Sequence, residues 1–372
     1  MTALYVATGG GGDALAAAIV HRALGRQDPA IIATYAWERL VVDPLPGPRG
    51  IADFTGLRRL GAHAHAVVAG TAPRPPCDST LPRLAADLGH TLVLLDPAGG
   101  AAGLAAQIDE AAAAGGAGSL TVIDVGGDVV ARGDEAGLRS PLADGLALAA
   151  TARLDRTAQV LVAGPGLDGE LSEAEVLAIT GDTPRLRLTG DDVTPVRSVF
   201  TWHPSESTAL LVAAARGLRG RAEIRDAALG VPLTDRSPGV HALPLATAVA
   251  GNRLAAALVG TTALDEVEDV TRRICGASEI DYERTKAAAR DAAPRGPVAF
   301  DQPLDERVTE VEAAAAARGV DFLTFRRIAE AVGLPAGAVA ALRDHLVATR
   351  PDHHVWPLWS LTPPAAAGDV AF

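Results

Sequence analysis

The first feature that could support chemistry is a run of glycines that follows an apolar stretch and ends in an acid, Asp13. The run consists of Gly9, Gly10, Gly11 and Gly12. Backbone without side chains lets a ligand approach closely, and the spacing loosely fits the Gly-x-Gly-x-x-Ala dinucleotide fingerprint, with Glu38 or Asp43 placed for a ribose contact. Asp13 argues against a phosphate ligand at this loop, because a carboxylate at a helix start repels a phosphate group. Asp13 also has a purely structural interpretation as a helix N-cap. The sequence predicts a ligand-binding loop.

A second glycine turn lies between two acids, Asp124 and Asp128, at the end of a predicted strand. Gly126 and Gly127 separate them. Two carboxylates this close repel each other unless a cation or a donor-rich ligand lies between them. A divalent metal bound by Asp124 and Asp128, an ammonium group or sugar hydroxyls would each serve, and Asp128 is a candidate catalytic acid or base.

Four more polar residues follow helix or strand ends and are candidate ligand contacts: Ser140, Asp144, Asp168 and Glu170. Ser140 precedes Pro141, which predicts a helix N-cap followed by a first-turn proline. Asp168 and Glu170 lie on a loop with two glycines and a proline, and the pattern leaves open whether they face solvent or the site. The nearby Ser172 and Glu175 form a capping-box pattern and are assigned to a helix start.

A histidine follows the apolar run Val196–Trp202, which we interpret as a further strand. His203 is the best general acid/base candidate among the nine histidines, because imidazole titrates near neutrality. Its alternative interpretation is a packed residue beside Trp202. Ser205 predicts the N-cap of the next helix, and Glu206 is a third candidate catalytic residue. The acidic run Ser278–Glu283 predicts a solvated helix face.

The elements that must position these residues alternate regularly. Short Val, Ile and Leu runs alternate with Ala/Leu-rich runs of helical period, and the former show no polar alternation. The predicted strands are Leu4–Thr8, Ala30–Tyr35, Ala66–Ala69, Thr91–Asp96, Ser119–Asp124 and Gln159–Ala163. This pattern is typical of a parallel sheet covered on both faces. The predicted fold class is α/β: a Rossmann-like, doubly wound, mostly parallel sheet whose ligands bind beyond the carboxyl ends of the strands.

A proline-broken stretch, Asp291–Pro303, predicts a boundary near residue 300. It divides a Rossmann-like domain over residues 1–300 from a small helical C-terminal unit over residues 301–372. Two helices around Gly333 have the outline of a DNA-binding helix-turn-helix, but the second is rich in Ala, Gly and Val. We favour a packing hairpin, with a tail docked through Trp356 and Trp359.

Composition limits the classes of function. The 372 residues carry 33 basic and 45 acidic side chains, a net charge of −12, and aromatic residues make up 3%. These values argue against nucleic-acid or anionic-membrane partners. Cys77 and Cys275 lack a metal-ligand spacing, and no stretch has the roughly 18 apolar residues of a spanning helix. The N-terminal residues lack a signal-peptide pattern. We therefore expect a cytoplasmic protein, with homo-oligomerisation open.

Several segments together resemble an uncharacterised family defined by a domain of unknown function. The segments are 9–13, Trp37-Glu38-Arg39, Asp43-Pro44, 46–49, 124–128 and 140–144. The resemblance covers about residues 1–290. It implies membership of that family and no particular reaction.

The residues favour a metabolic enzyme whose acids hold a small polar substrate, such as an amine, amino acid or sugar. Two alternatives remain. One is an NAD(P)- or flavin-dependent enzyme that binds pyrophosphate at the Gly9–Gly12 loop; the other is a non-catalytic ligand sensor with the C-terminal helices as output. The cofactor is therefore open between a divalent metal and NAD(P), and lyase, cyclase, hydrolase and transferase chemistry are not separated.

Overall fold

The computed structural model describes residues 2–225, 229–291 and 302–363. Its strands are β1 Leu4–Ala7, β2 Ile31–Tyr35, β3 Phe54–Thr55, β4 Arg58–Arg59, β5 His65–Val67, β6 Ala72–Pro73, β7 Thr91–Leu95, β8 Ser119–Val125, β9 Thr157–Ala163, β10 Leu186–Arg187, β11 Gly220–Ile224, β12 Leu229–Leu233, β13 Gly239–Pro244, β14 Phe322–Leu323, β15 His354–Val355 and β16 Leu358–Ser360. The helices are α1 Gly11–Ala23, α2 Leu81–Leu88, α3 Gly100–Gly115, α4 Pro141–Ala152, α5 Glu173–Thr180, α6 Gly190–Val193, α7 Glu206–Ala215, α8 Leu245–Gly251, α9 Arg253–Leu258, α10 Leu264–Cys275, α11 Glu279–Asp291, α12 Gln302–Ala317, α13 Phe325–Ala331 and α14 Val339–Thr349.

The main sheet has the doubly wound order that the sequence predicts. Its strands run β10-β13-β9-β8-β1-β2-β7-β5-β4, and the five central strands are parallel. In chain order these five correspond to 3-2-1-4-5, the Rossmann arrangement. The strands that flank these five, β5 and β13, are antiparallel to their neighbours, as are the edge strands β4 and β10, so the sheet is mixed.

Alternate residues of each central strand enter two separate apolar cores. Tyr5 and Ile123 pack on the side of α1, α2 and α7, whereas Val6 and Val122 pack on the side of α3 and α4. A strand that is buried on both faces needs apolar residues at every position, which explains the uninterrupted Val/Ile/Leu runs. The predicted fold class is confirmed.

The predicted strand Val196–Trp202 is wrong. The segment forms two 3₁₀ turns, Thr194–Val196 and Val199–Thr201. Val193, Val196 and Val199 are buried while the residues between them are more exposed, and a period of three is the repeat of a 3₁₀ helix. The apolar, β-branched composition of this run favours a strand, and only the three-residue spacing of its buried positions distinguishes the helical turns.

The C-terminal segment contains α12, the two helices predicted around Gly333 (α13 and α14) and three short strands. Strands β14, β15 and β16 complete a five-stranded sheet with β11 and β12, in the order β12-β11-β14-β16-β15. Trp356 packs in the core on the α1 side of the main sheet, as expected of a docked tail, whereas Trp359 packs in the separate core of the C-terminal segment. Most of the predicted boundary Asp291–Pro303 lies outside the described residues.

Candidate functional site

Six buried acids meet at the carboxyl edge of the parallel sheet, where the chain order reverses between β1 and β8. All are at most 8% exposed; they are Asp13, Asp124, Asp128, Asp144, Asp168 and Glu170. The crevice at such a reversal is the usual ligand position in open α/β sheets. All six were predicted from the sequence as site residues, and the structure brings them together.

Three of these acids form a compact group that we call the acidic triad: Asp13, Asp124 and Asp144. One carboxylate oxygen of each lies within 4.8 Å of the others. Asp13 is the third residue of α1 rather than its N-cap, and its Oδ2 accepts a hydrogen bond from the Gly9 amide at 2.6 Å. Burial raises the pKa of Asp13 to about 7, against the lowering effect of the Gly9 and Val125 amides.

The other two triad members come from the end of β8 and from the first turns of α4. Burial, and then repulsion from Asp144 and Asp13, raises the pKa of Asp124 well above its usual range. Burial and repulsion from Asp13 do the same for Asp144. Within the described residues, Asp144 Oδ1 is buried and has no hydrogen-bond partner. The described protein groups therefore do not compensate the ionised forms of the three triad carboxyls, which is why their pKa values are raised.

The remaining three acids, Asp128, Asp168 and Glu170, form a second group with its own partners. Asp128 and Asp168 share a hydrogen bond, and burial followed by repulsion from Asp168 and Glu170 raises the pKa of Asp128 well above its usual range. The Ser140 hydroxyl lies 2.6 Å from Glu170 Oε1 and 3.0 Å from Asp128 Oδ2. We call these three acids and Ser140 the carboxylate pair group, after the hydrogen-bonded pair Asp128 and Asp168.

Glu170 is held ionised by an arginine that sequence reasoning did not identify. Arg225 Nη1 lies 3.3 Å from Glu170 Oε1. Although burial opposes it, this guanidinium and the hydrogen bonds from Ser140 lower the pKa of Glu170. Burial and like charges thus favour the protonated form of Asp128, whereas Arg225 favours the ionised form of Glu170 beside it, which is the arrangement of a general acid beside a general base.

A glycine allows Asp168 to reach this group. Gly126 has φ 120°, and a Cβ there would overlap the Asp168 carboxyl. Gly126 and Gly127 therefore serve the close packing of protein groups, and neither makes a contact that identifies a ligand. Ser140 is at the N-cap position of α4 but makes no capping hydrogen bond, because its hydroxyl faces the acids.

The start of α4 is capped instead by an acid from a distant helix. Glu279 Oε1 accepts hydrogen bonds from the Leu142 amide at 2.5 Å and the Ala143 amide at 3.3 Å, and its other oxygen pairs with Arg39. Glu283 accepts from the Trp37 indole at 2.9 Å and is 3% exposed. The prediction that this acidic run is a solvated helix face is therefore wrong for Glu279 and Glu283, because α11 packs against the loop after β2.

His203 and Glu206 lie beside a neighbouring cleft of ≈ 310 Å³, bordered by the turn before α7 and the C-terminal segment. Burial lowers the pKa of His203 to about 4. The His203 Nδ1 accepts a hydrogen bond from the Ser205 amide at 3.3 Å. The His203 Nε2 has no hydrogen-bond partner within the described residues. Glu206 Oε1 accepts from the Arg225 amide at 3.1 Å, and its Oε2 lies 3.4 Å from Arg326. Arg225 therefore contacts both Glu206 and Glu170. The placement of His203 at a strand end was wrong, since 3₁₀ turns precede it.

Protein atoms closely surround the glycine loop. A Cβ at Gly9 would lie 2.5 Å from Asp13 Oδ2, one at Gly10 2.8 Å from the Trp37 carbonyl, and one at Gly11 2.8 Å from His203 Nε2, while one at Gly12 would overlap Ser205 Oγ. Glu38 Oε1 accepts from the Thr80 amide at 2.7 Å at the start of α2. The glycines are thus required by packing, whatever else binds there.

The fold and these acids define a class: a Rossmann-like α/β protein with an acidic crevice at the switch point of its sheet. The chain belongs to the family described as protein of unknown function, DUF1152, which it matches over residues 4–287. This confirms the expected membership of an uncharacterised family. No match is found among curated proteins or among solved structures. Among the described helices, none combines the length and apolar character needed to cross a membrane.

Proposed function

We propose that this protein is an enzyme that binds a small polar metabolite, carrying an amine or several hydroxyls, in the acidic crevice. The observation that carries the proposal is the burial of six carboxylates in one crevice, of which only Glu170 has an arginine or lysine within 4 Å among the described residues. Burying mutually repelling carboxylates lowers stability unless hydrogen-bond donors or positive charge compensate them. A donor-rich or cationic ligand supplies that compensation.

The chemistry of the proposed enzyme is proton transfer by the carboxylate pair group. Asp128 is the proton donor, Glu170 is the carboxylate that accepts a proton, and Asp168 is hydrogen-bonded to Asp128. Arg225 and Ser140 hold Glu170 in place beside them. His203 and Glu206 line the neighbouring cleft, where they contact the part of the substrate that does not react.

A dinucleotide-dependent enzyme is the second candidate, because the glycine loop occupies the Rossmann switch point. The Gly9 amide, which would face a pyrophosphate, already donates to Asp13. In the absence of a bound cation, the acidic triad would also repel the phosphates. The Gly9–Asp13 hydrogen bond and this repulsion both favour a small metabolite over a dinucleotide as the ligand.

A thermal-shift screen of the purified chain tests the proposal. The panel contains amino acids, polyamines, sugars, NAD, NADP and FAD, each with the wild type, Asp168→Asn and the exposed surface control Asp155→Asn. A ligand at a hundred times its Kd stabilises the native state by about 2.7 kcal/mol. We expect an amine, amino acid or sugar to raise Tm in the wild type and in Asp155→Asn but not in Asp168→Asn. A shift by a dinucleotide alone, equal in all three proteins, would reject the proposal.

A further inference from the structure

We propose that the acidic triad of Asp13, Asp124 and Asp144 binds one divalent cation of the Mg²⁺ or Mn²⁺ type. This inference deepens the proposed function and rests on it for the identity of the crevice as the substrate site. The triad supplies one oxygen from each of three carboxylates, all within 4.8 Å of one another. Two oxygens that share an ion at about 2.1 Å lie at most about 4.2 Å apart, so small side-chain adjustments let a single ion contact all three.

An independent observation at Asp144 points to a ligand. Asp144 is 4% exposed, and its Oδ1 is buried without a hydrogen-bond partner in the described part of the chain. Unsatisfied buried polar atoms are rare in native proteins, and one without a protein partner usually contacts a bound water or ion. A buried anionic oxygen is stabilised more by a cation than by a neutral water.

The two halves of the crevice differ in how their charge is compensated. In the carboxylate pair group, a hydrogen bond joins Asp128 to Asp168, and Arg225 pairs with Glu170. The triad has no arginine or lysine within 4 Å among the described residues, and its donors are neutral groups: the Gly9, Val125 and Val129 amides and the Thr8 hydroxyl. Arg39 acts on Asp13 and Asp144 only at longer range, so no positive charge pairs directly with the triad, and that difference assigns the cation to it.

The ligand set selects the class of metal. Three carboxylates and no histidine or cysteine suit a hard cation and not zinc or copper. Mg²⁺ binds through a few carboxylates and keeps several water positions, whereas Ca²⁺ prefers six to eight oxygens. The remaining positions of the ion are open to substrate oxygens, next to the Asp128 carboxyl group.

Mn²⁺ binding by the full chain, after treatment with EDTA and dialysis, tests the inference by electron paramagnetic resonance and calorimetry. We expect one Mn²⁺ per chain, displaced by Mg²⁺, with affinity reduced at least tenfold in both Asp124→Asn and Asp144→Asn. Asp155→Asn should bind as the wild type does. Without metal, Asp144→Asn should have a Tm equal to or above that of the wild type, since it removes a buried like charge; this also shows that the variant is folded.

Absence of Mn²⁺ binding to the wild type, or unchanged affinity in both triad variants, would overturn the inference. The Asp168→Asn variant separates this result from the proposed function. If a metabolite stabilises the wild type but not Asp168→Asn, and no metal binds, the metal site is wrong while the substrate site stands. If Mn²⁺ binds through the triad and no metabolite binds, the metal site stands and the enzyme proposal fails.

Discussion

Glu38 illustrates how a single buried acid makes the stability of this protein depend on pH. Its Oε1 accepts hydrogen bonds from the Thr80 amide and the Ser79 hydroxyl, whereas its Oε2 has no partner within the described residues. Burial raises its pKa to about 7 in spite of those hydrogen bonds. The folded protein therefore favours the protonated side chain, which an unfolded chain favours only below about pH 4.5.

We predict that Glu38→Gln removes part of the pH dependence of folding. A raised carboxyl pKa contributes stability below the unfolded pKa, and this contribution is lost as the pH rises through about 7. Between pH 5.0 and 7.5 the wild type should therefore lose about 2 kcal/mol of unfolding free energy relative to Glu38→Gln. Urea denaturation of both proteins at the two pH values, in EDTA, measures this double difference. An equal pH dependence in the two proteins would contradict the assignment.

At the scale of elements, the start of α1 is held between two other segments. Gly11 lies at the first position of α1, and an added Cβ would lie 2.8 Å from His203 Nε2 and 2.9 Å from Thr80 Oγ1. These contacts fix the glycine loop against the start of α2 and the turn before α7. The glycine loop therefore has a packing role in addition to being a candidate ligand contact.

Gly11→Ala should destabilise the protein by about 1–3 kcal/mol, because overpacking outweighs the gain of about 1 kcal/mol in helix propensity. The matched control is Gly103→Ala in α3, where an added Cβ meets nothing within 4 Å. That control should stabilise by roughly 0.5–1 kcal/mol. Urea denaturation gives both values. We expect the two changes in unfolding free energy to have opposite signs. Stabilisation by both substitutions would show that the packing around Gly11 is looser than described.

At the scale of the whole molecule, the C-terminal segment is joined to the rest of the chain through a buried ion-pair group. Glu223 in β11 is 1% exposed and lies 2.8 Å from the Arg318 guanidinium and 3.1 Å from that of Arg327. Strand β14 pairs with β11 beside it. The second sheet therefore unites segments separated by nearly a hundred residues.

We predict that Glu223→Ala costs about 3–5 kcal/mol, since it leaves the buried Arg327 without its partner. Asp235→Ala is the control, because that exposed acid pairs with Arg219 at the surface, where solvent screens the pair and its loss should change stability little. Chemical denaturation measures the difference, and limited proteolysis should show faster cleavage of the C-terminal segment in Glu223→Ala alone. Equal losses in the two variants would refute a structural role for this group.

Local patterns in the sequence predicted much of the framework. Uninterrupted apolar runs identified the central strands, because only a strand buried on both faces needs them. Ser172 and Ser205 marked helix starts, since an N-cap depends on residues three positions away. The run after Pro195 was misassigned because a short apolar segment fits either a strand or a helical turn.

The sequence by itself determined the fold class and which acids follow strand ends, because both depend on neighbouring residues in the chain. Only the tertiary structure decided how those acids group. Asp13, Asp124 and Asp144 meet because β1 lies beside β8, and Arg225 and Glu279 reach the crevice from segments that no local pattern connects to it. Strand order and helix packing result from the burial of the whole chain, so contacts between distant residues follow from the folded molecule and not from residue spacing.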